Sequence, residues 1–427
     1  MGIAEIAAVA KKAAIQLATV KTGEKNAALT AIANTLKQRC DHITAVNEVD
    51  LQTARKNQLP GPLLKRLKFD EGKIEDACAG IEALVELPDP VGRTITATEL
   101  DEGLKLYKVS CPIGVIGVIF ESRPDALVQI STLCLKTGNA VLLKGGSEAE
   151  KTNNMLYKII SEISEKAELP PGWLQLLQTR QDVAEMLALD EYIDLIIPRG
   201  SNDFVRSIME NTNIPVLGHA AGICHVYVDR DADLEMAIKI TVDSKCQYVA
   251  ACNAAETLLV DQKIAEQFLP RVKVALGKKN VELRGCKKTA DVIKVKPATE
   301  QDWSTEYLDY IISIKVVAGM DEAIEHINKY GSGHTDTIVT SNKQKADGFM
   351  NLVDSANVFV NCSTRFSDGY RYGIGAEVGI STNKIHARGP VGMEGLVIYK
   401  WKLIGSGQIV ADYSGPTAKL FTHKKLT

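Results

Sequence analysis

The chain has 427 residues, 45% hydrophobic and 24% charged, and its 50 Lys and Arg against 53 Asp and Glu leave a net charge of −3. That length outgrows a single hydrophobic core and predicts two or three domains of ordinary soluble composition. The near balance of charge excludes the electrostatic footprint of a nucleic-acid or anionic-membrane binder.

Residues 3–20 and 24–56 carry Ala, Leu and Ile at helical spacing with Lys, Glu and Gln between, which predicts two amphipathic helices. The N-terminal one lacks the apolar centre of a signal peptide. Pro60-Gly61-Pro62 breaks the pattern, and a third helix is predicted from about Glu71 to Val85, stopping near Pro88-Asp89-Pro90. Two alternating runs, 94–100 and 104–109, flank Asp101-Glu102-Gly103 and predict a β-hairpin. Its polar face marks it as a projecting arm.

From Cys111 onward strands and helices alternate. Strands are predicted at 114–120, 140–143, 174–177 and 195–197, with helices over 124–136 and 147–163. Near-continuous apolar strands between helices predict a parallel sheet covered on both faces, the kind that binds a nucleotide at the carboxyl ends of its strands. A second α/β region, from about 241 to 360, holds predicted strands at 256–260, 311–317, 336–339 and 358–360 and a helix over 321–330. The glycines 369, 373, 375 and 379 then lead to a β-like tail at 396–404 and 408–413. The longest apolar runs fall far short of a membrane span.

Nine cysteines (40, 78, 111, 134, 224, 246, 252, 286, 362) include no CxxC pair, and the seven histidines no HxxxH or HExxH. Neither a disulfide framework nor a metal site is predicted, and the thiols point to a reducing, cytoplasmic compartment. Cys252 stands apart. Ala250 and Ala251 leave its approach open, and the apolar run Leu258-Leu259-Val260 behind it suits a rigid strand. Such a thiol is either a nucleophile or, like most free cysteines, a small packing residue.

Three strand ends also carry chemistry. Val141-Leu142-Leu143-Lys144-Gly145-Gly146-Ser147 ends a buried strand in a glycine turn, with a lysine beside the backbone N–H groups of the next helix. That suits an anionic or hydroxyl-rich cofactor, although an ordinary strand–turn–helix connection capped by Ser147 reads the same way. Ile196-Ile197-Pro198-Arg199-Gly200-Ser201 repeats the pattern one unit later, and Ile119-Phe120-Glu121-Ser122-Arg123-Pro124 puts an arginine just past a third strand. Polar loops at Asn361–Gly369 and His386–Pro390 add Arg365 and Arg388, facing either a substrate cleft or an interface.

These segments, in this order and over essentially the whole chain, resemble the γ-glutamyl phosphate reductase family, a reductive branch of the aldehyde dehydrogenase superfamily. The likeness is carried by Ile119–Asp125, Leu143–Ala149, Ile197–Ser201, Gly222–Asp229 and Ala251–Val260. Most specific is Gly375-Ala376-Glu377-Val378-Gly379-Ile380-Ser381-Thr382 through His386-Ala387-Arg388-Gly389-Pro390-Val391-Gly392. The resemblance implies an α/β, aldehyde dehydrogenase-like fold: a Rossmann-like cofactor domain (1–93 and 111–240, with part of 365–392), an α/β catalytic domain (241–364), and an oligomerisation arm (94–110 and 393–427). It implies that Cys252 attacks γ-glutamyl phosphate, expels phosphate and forms a thioester. NADPH then reduces the thioester to glutamate 5-semialdehyde, the second step of proline biosynthesis. Lys144, Gly145, Ser147, Pro198, Gly200, Ser201 and Glu306 are implied cofactor contacts, and Ser122, Arg123, Asn253, Arg365 and Arg388 substrate contacts.

Three departures carry chemical meaning. Hydrolytic aldehyde dehydrogenases have a glutamate that activates water; the matching position here is Val216, in Val216-Leu217-Gly218-His219, which protects a thioester until it is reduced. NAD-specific relatives often carry a glutamate where this chain has Ser147, so a 2′-phosphate is acceptable, with Glu148 next door. The family's frequent proline before the nucleophile is Val249, which predicts a looser loop and the same reaction. A homodimer is expected, with transient contact to a separate glutamate 5-kinase chain, and no nucleic acid or membrane. An acylating dehydrogenase acting on another activated acyl group, such as a coenzyme A thioester, would share Cys252 but not need the arginine loops. A non-catalytic nucleotide-binding protein of the same fold would not need an intact Cys252.

Overall fold

The structure is a computed structural model, and it describes every residue except 1, 122, 220 and 427 and the side chain of residue 62. The chain forms two compact units, one of residues 1–200, 211–216 and 392–427, the other of 201–210 and 217–391.

In the first unit, helix Ile3–Leu17 buries Ile3, Ala7, Ala10, Ala14 and Leu17, one stripe at three- and four-residue steps. The single helix expected over 24–56 is two, Thr22–Gln38 and Cys40–Lys56, meeting at Arg39 with φ −99° and ψ 15°. The buried positions keep helical phase across that break, since Leu36 and Ile43 lie about two turns apart, so the hydrophobic period gave no warning of it. Gly61–Leu67, expected only as a break, forms a short helix. Buried Asp50 caps the next functional element: its Oδ2 accepts from Thr152 N (2.8 Å) and Thr152 Oγ1 (2.7 Å) in the first turn of helix Glu150–Lys166.

Strands β1 (Thr94–Asp101) and β2 (Leu104–Pro112) form the expected antiparallel hairpin. Strands β3 (Val115–Phe120), β4 (Ala140–Lys144), β5 (Leu174–Leu176) and β6 (Leu195–Arg199) form a parallel sheet in the order β5-β4-β3-β6. Its register pairs Ile119 with Lys144 and Phe120 with Arg199, so the predicted cofactor turns leave one carboxyl edge.

The second unit is built on β7 (Cys224–Val228), β8 (Ala255–Asp261), β9 (Glu282–Gly285), β10 (Lys296–Pro297), β11 (Ile311–Val317), β12 (Thr335–Val339) and β13 (Asn357–Val360). They lie in the order β10-β9-β11-β8-β7-β12-β13, all parallel. Alternate residues face opposite layers, as the two-residue period of a strand requires. Val226, Leu258, Val260 and Ile314 pack against Phe268 and Leu269, while Tyr227, Leu259 and Ile338 pack against Ile327 and Phe349. Residues 217–240, read from sequence as part of the cofactor domain, belong here, because β7 pairs with β8 and β12 in the middle of this sheet. A fully apolar strand does not say which of two parallel sheets it joins. Residues 365–391 also lie in this unit, with a small antiparallel pair β14 (Ile380–Ser381) and β15 (Gly389–Pro390).

Back in the first unit, β16 (Val397–Ile404) pairs with β2 and β17 (Lys424–Lys425) with β1, giving an antiparallel sheet in the order β16-β2-β1-β17. The strand expected at 408–413 is instead a 3₁₀ turn, Val410–Tyr413, and Tyr413 Oη donates to Asp101 Oδ2 at 2.9 Å. Ile398, Tyr399, Trp401, Leu403 and Ile404 of β16 are exposed.

Buried Asn139 ties this sheet to the four-stranded parallel sheet. Its Oδ1 accepts from Gly114 N (2.9 Å), and its Nδ2 donates to Leu396 O (2.8 Å) and Thr137 Oγ1 (2.9 Å). Asn139→Leu strands a backbone donor and a backbone acceptor, each costing about 1–3 kcal/mol when left unpaired. A stability loss of about 2–5 kcal/mol by urea denaturation is expected on that basis, and a loss below about 1 kcal/mol would mean that water replaces the amide.

Candidate active site

At the end of β4 the Lys144 side chain is buried and its Nζ donates to Gly145 O. Burial pulls its pKa down and nearby Glu148 pushes it back up. Gly145 leaves room for the Asn153 amide: a Cβ there would lie 2.2 Å from Asn153 Nδ2, so that side chain would have to move. Ser147 opens a 3₁₀ turn, Ser147–Ala149, and the helix proper begins at Glu150. Lys144, Gly145, Ser147 and Asn153 line one cleft, and the buried Asn153 Oδ1 has no hydrogen-bond partner. A dry acceptor beside a glycine turn and a lysine suits a hydroxyl-bearing, anionic ligand such as a ribose phosphate.

Pro198 is buried in β6 and Gly200 is exposed just beyond it. Ser201 O accepts from Val205 N at the start of helix Asn202–Glu210, and Asn202 Nδ2 donates to Glu306 Oε2 at 2.5 Å. Two expected cofactor contacts, Ser201 and Glu306, therefore meet at one helix start. Arg123, half-buried, immediately precedes helix Pro124–Lys136. Ser122 lies outside the described residues.

Cys252 sits in the turn before β8, where Ala251 N donates to Tyr248 O and Ala254 N to Ala251 O (2.9 Å). The turn leans on Gly222: a Cβ there would lie 2.0 Å from Cys252 O and 2.6 Å from Cys252 Cα. Cys224 Sγ donates to Cys252 O at 3.3 Å, and burial holds the Cys224 thiol well above its ordinary pKa, so it remains a donor. Across β7, buried His334 precedes β12 and brings its Nε2 to 3.2 Å from Cys252 Sγ. The far nitrogen, Nδ1, lies 2.8 Å from Thr335 Oγ1. A thiol and an imidazole in contact, with the ring held from behind, are the parts of an activated sulfur nucleophile.

Asn253 and Arg365 share this site. Asn253 Nδ2 donates to Ser367 O (2.7 Å), its O accepts from Thr364 Oγ1 (2.7 Å), and its buried Oδ1 has no partner. Arg365 is buried, with Nε donating to Gln247 Oε1 at 2.9 Å. Burial pulls its pKa down and Arg371 adds to that, while the charge of Cys252 opposes both. Arg388 is engaged elsewhere: it donates to Asp354 Oδ1 (3.1 Å), Asp354 O (3.0 Å) and Thr382 O (3.3 Å). Its Nη2 nonetheless approaches Gly333, the neighbour of His334.

Sequence reasoning missed His334, the closest chemical partner of Cys252. The available signal was Gly331-Ser332-Gly333 before a strand, the same small-residue entry that singled out Cys252. It also missed the buried pair Lys245–Glu256, joined at 2.6 Å. Burial pushes Glu256 up to about 7, Lys245 working against it, and Glu256 Oε1 accepts from Leu308 N at 3.4 Å beside Glu306.

Residues 2–310 match the aldehyde dehydrogenase family. The chain is 64% identical over 426 residues to a γ-glutamyl phosphate reductase of Acetivibrio thermocellus, covering 100% of this chain and 99% of that one. It is also 64% identical to that of Pelotomaculum thermopropionicum, covering 100% and 98%. The crystal structure of the Thermotoga maritima γ-glutamyl phosphate reductase is similar at a TM-score of 0.94 and 42% identity, over 96% of this chain and 100% of that one.

Gly222→Ala tests the geometry without touching a reactive group. The added methyl must displace the Cys252 backbone, and a misplacement of about 1 Å can cost about 100-fold in rate. A loss of about that size in kcat with far-ultraviolet circular dichroism unchanged is expected; full activity would show that the thiol does not depend on this contact.

Proposed function

This chain belongs to the aldehyde dehydrogenase family, among its γ-glutamyl phosphate reductases, and from that premise we propose that Cys252 carries the acyl group as a thioester for reduction by NADPH. The reaction is reduction of γ-glutamyl phosphate to glutamate 5-semialdehyde, a step of proline biosynthesis. The observation that carries the mechanism is the 3.2 Å contact between Cys252 Sγ and His334 Nε2.

His334 Nε2 takes the thiol proton, and Thr335 Oγ1 receives Nδ1–H of the resulting imidazolium. The thiolate forms a bond to the acyl carbon as the C–O bond to phosphate breaks. Cys252 N–H would steady the oxyanion. Val216 offers no base to water at the position where hydrolytic relatives use glutamate, so the thioester survives. When bound, NADPH would supply the hydride for the acyl carbon, and His334 would keep the departing sulfur as a thiolate. Lys144, Gly145, Ser147, Pro198, Gly200, Ser201 and Glu306 are the residues that would hold the nicotinamide nucleotide. The partnerless Asn153 Oδ1 and the space that Gly145 leaves support that assignment. Ser147, being neutral, favours the 2′-phosphorylated form. Asn253 and Arg365, beside the nucleophile, are the substrate contacts this reading favours; Arg123 would supply a further cation, whereas Arg388 is paired with Asp354.

The exposed apolar edge strand β16 supports a homodimer built on the arm, since such an edge is a template for pairing. Among the described residues no helix is long and apolar enough to cross a membrane. All nine cysteines are free thiols, in keeping with a cytoplasmic setting. The lability of acyl phosphates favours transient contact with the kinase that makes the substrate; a pull-down without association counts against it.

Phosphate-dependent oxidation of pyrroline-5-carboxylate with NADP⁺ reads the chemistry in reverse. Cys252→Ala should abolish it, and His334→Gln should lower kcat/KM by about 10²–10⁴, the range for a general base. Activity surviving in Cys252→Ala would overturn the mechanism. For the arm, Trp401→Asp with Leu403→Asp should convert a dimer to a monomer in sedimentation velocity; a wild-type monomer at micromolar concentration would refute the dimer.

A further inference from the structure

Three donor atoms converge where the entry loops of β8 and β12 meet: Cys252 Sγ and one nitrogen each of His219 and His334, all within 4.8 Å of one another. Other contacts fix the roles of the nitrogens. His219 Nδ1 lies 2.7 Å from Ile380 O. A carbonyl only accepts, so Nδ1 carries the proton and Nε2 the lone pair, the tautomer that metal-binding histidines adopt when a backbone carbonyl orients them. His334 is held from behind by Thr335 Oγ1 at 2.8 Å and presents Nε2 to the sulfur at 3.2 Å. The two rings meet edge to face, with centroids 4.9 Å apart, so neither ring stacks over the other.

We propose that His219, Cys252 and His334 form a three-ligand site for Zn²⁺, which when filled holds Cys252 as a metal thiolate and silences it. Binding does not depend on the role given to Cys252 above; only the effect on turnover rests on that reading. Two imidazoles and a thiolate are the borderline-soft donor set that favours zinc over magnesium or calcium. Tetrahedral zinc, with Zn–S about 2.3 Å and Zn–N about 2.0–2.1 Å, needs donor atoms about 3.3–3.6 Å apart. The Cys252–His334 separation of 3.2 Å is already close to that, and the widest, within 4.8 Å, closes by side-chain rotation. The fourth position is left to water. In the binding step the Cys252 S–H bond breaks, its proton passes to solvent and the S–Zn bond forms, with both histidines binding as neutral rings. His219 and Cys252 are half-buried, which gives the ion a way in. Arg365, a buried cation in the same unit, works against a dication, so the thiolate has to supply much of the affinity.

The test titrates the reduced, full-length protein with Co²⁺ as an absorbing probe. One equivalent should give a thiolate-to-cobalt charge-transfer band and the intense visible bands of tetrahedral cobalt, both bleached by Zn²⁺. Cys252→Ser should lose the charge-transfer band, and His219→Ala should weaken Co²⁺ at least about 10-fold, the lower figure for loss of an outer-shell partner. A second measurement needs no variant. Iodoacetamide labelling of Cys252, mapped by peptide mass, should slow about 10-fold at free Zn²⁺ of about ten times Kd and recover with a chelator. A charge-transfer band unchanged in Cys252→Ser, or Cys252 labelling indifferent to Zn²⁺, would overturn the site even if Cys252 is the catalytic nucleophile.

Discussion

The contact between Cys252 and His334 hangs on the register of three neighbouring parallel strands, β8, β7 and β12. Cys252 and His334 enter the sheet one strand apart, on either side of β7, and they touch only because β7 holds both neighbours in place. The lock is a buried polar contact: Asp336 Oδ1 accepts from His225 N (2.8 Å) and lies 2.7 Å from His225 Nδ1, tying β7 to β12. On the other side Gly222 and Cys224, the entry to β7, press on and hydrogen-bond the Cys252 backbone. A one-residue slip would turn every side chain to the opposite face and carry His334 away from the sulfur.

The two sheets place their chemistry on opposite edges. In the four-stranded sheet the cofactor turns follow the carboxyl ends of β4 and β6, as the usual rule for open α/β sheets expects. In the seven-stranded sheet Cys252 and His334 precede their strands, at the amino edge. A loop entering a strand ends in residues whose backbone is already fixed by the ladder. Cys252 is therefore three positions from the first strand residue, Ala255, and His334 is directly next to its own, Thr335. Such placement limits the freedom that a reactive side chain must lose before it can act.

Much of this was legible in sequence, and the failures have identifiable causes. Contiguous apolar runs marked β3, β4, β8 and β11 within a residue or two, because a strand buried on both faces has no other way to be written. The same property hid the sheet to which β7 belongs. The hinge at Arg39 was invisible because the buried stripe continues through it, and the tail at 408–413 turned rather than extended because Tyr413 finds Asp101. Cys252 was singled out by its local setting and family motifs, and the structure brings it against His334. His334 was not, since its meaning comes from a partner 82 residues away. The arginines divide in the same way: residue type alone could not show that Arg388 is spent on Asp354 while Arg365 is buried with its Nε donating to Gln247.

The buried Lys245–Glu256 pair explains how the nucleophile segment and the Glu306 segment stay in step. Both side chains are fully buried, so both charges have lost their water, and an apolar pair of similar volume would cost less to bury. An apolar pair, however, has no acceptor to offer. Glu256 is the second residue of β8, four residues after Cys252, and while one of its oxygens meets Lys245 the other accepts from Leu308 N, two residues after Glu306. Glu306 in turn accepts from Asn202 at the start of the helix that Ser201 opens. A short polar chain thus runs from the strand behind the thiol to the residues proposed to hold the nicotinamide. The opposing pulls on Glu256, burial upward and Lys245 downward, are the cost of keeping an acceptor there. What the pair contributes is position: it fixes the segment that would hold the hydride donor to the strand that carries the sulfur.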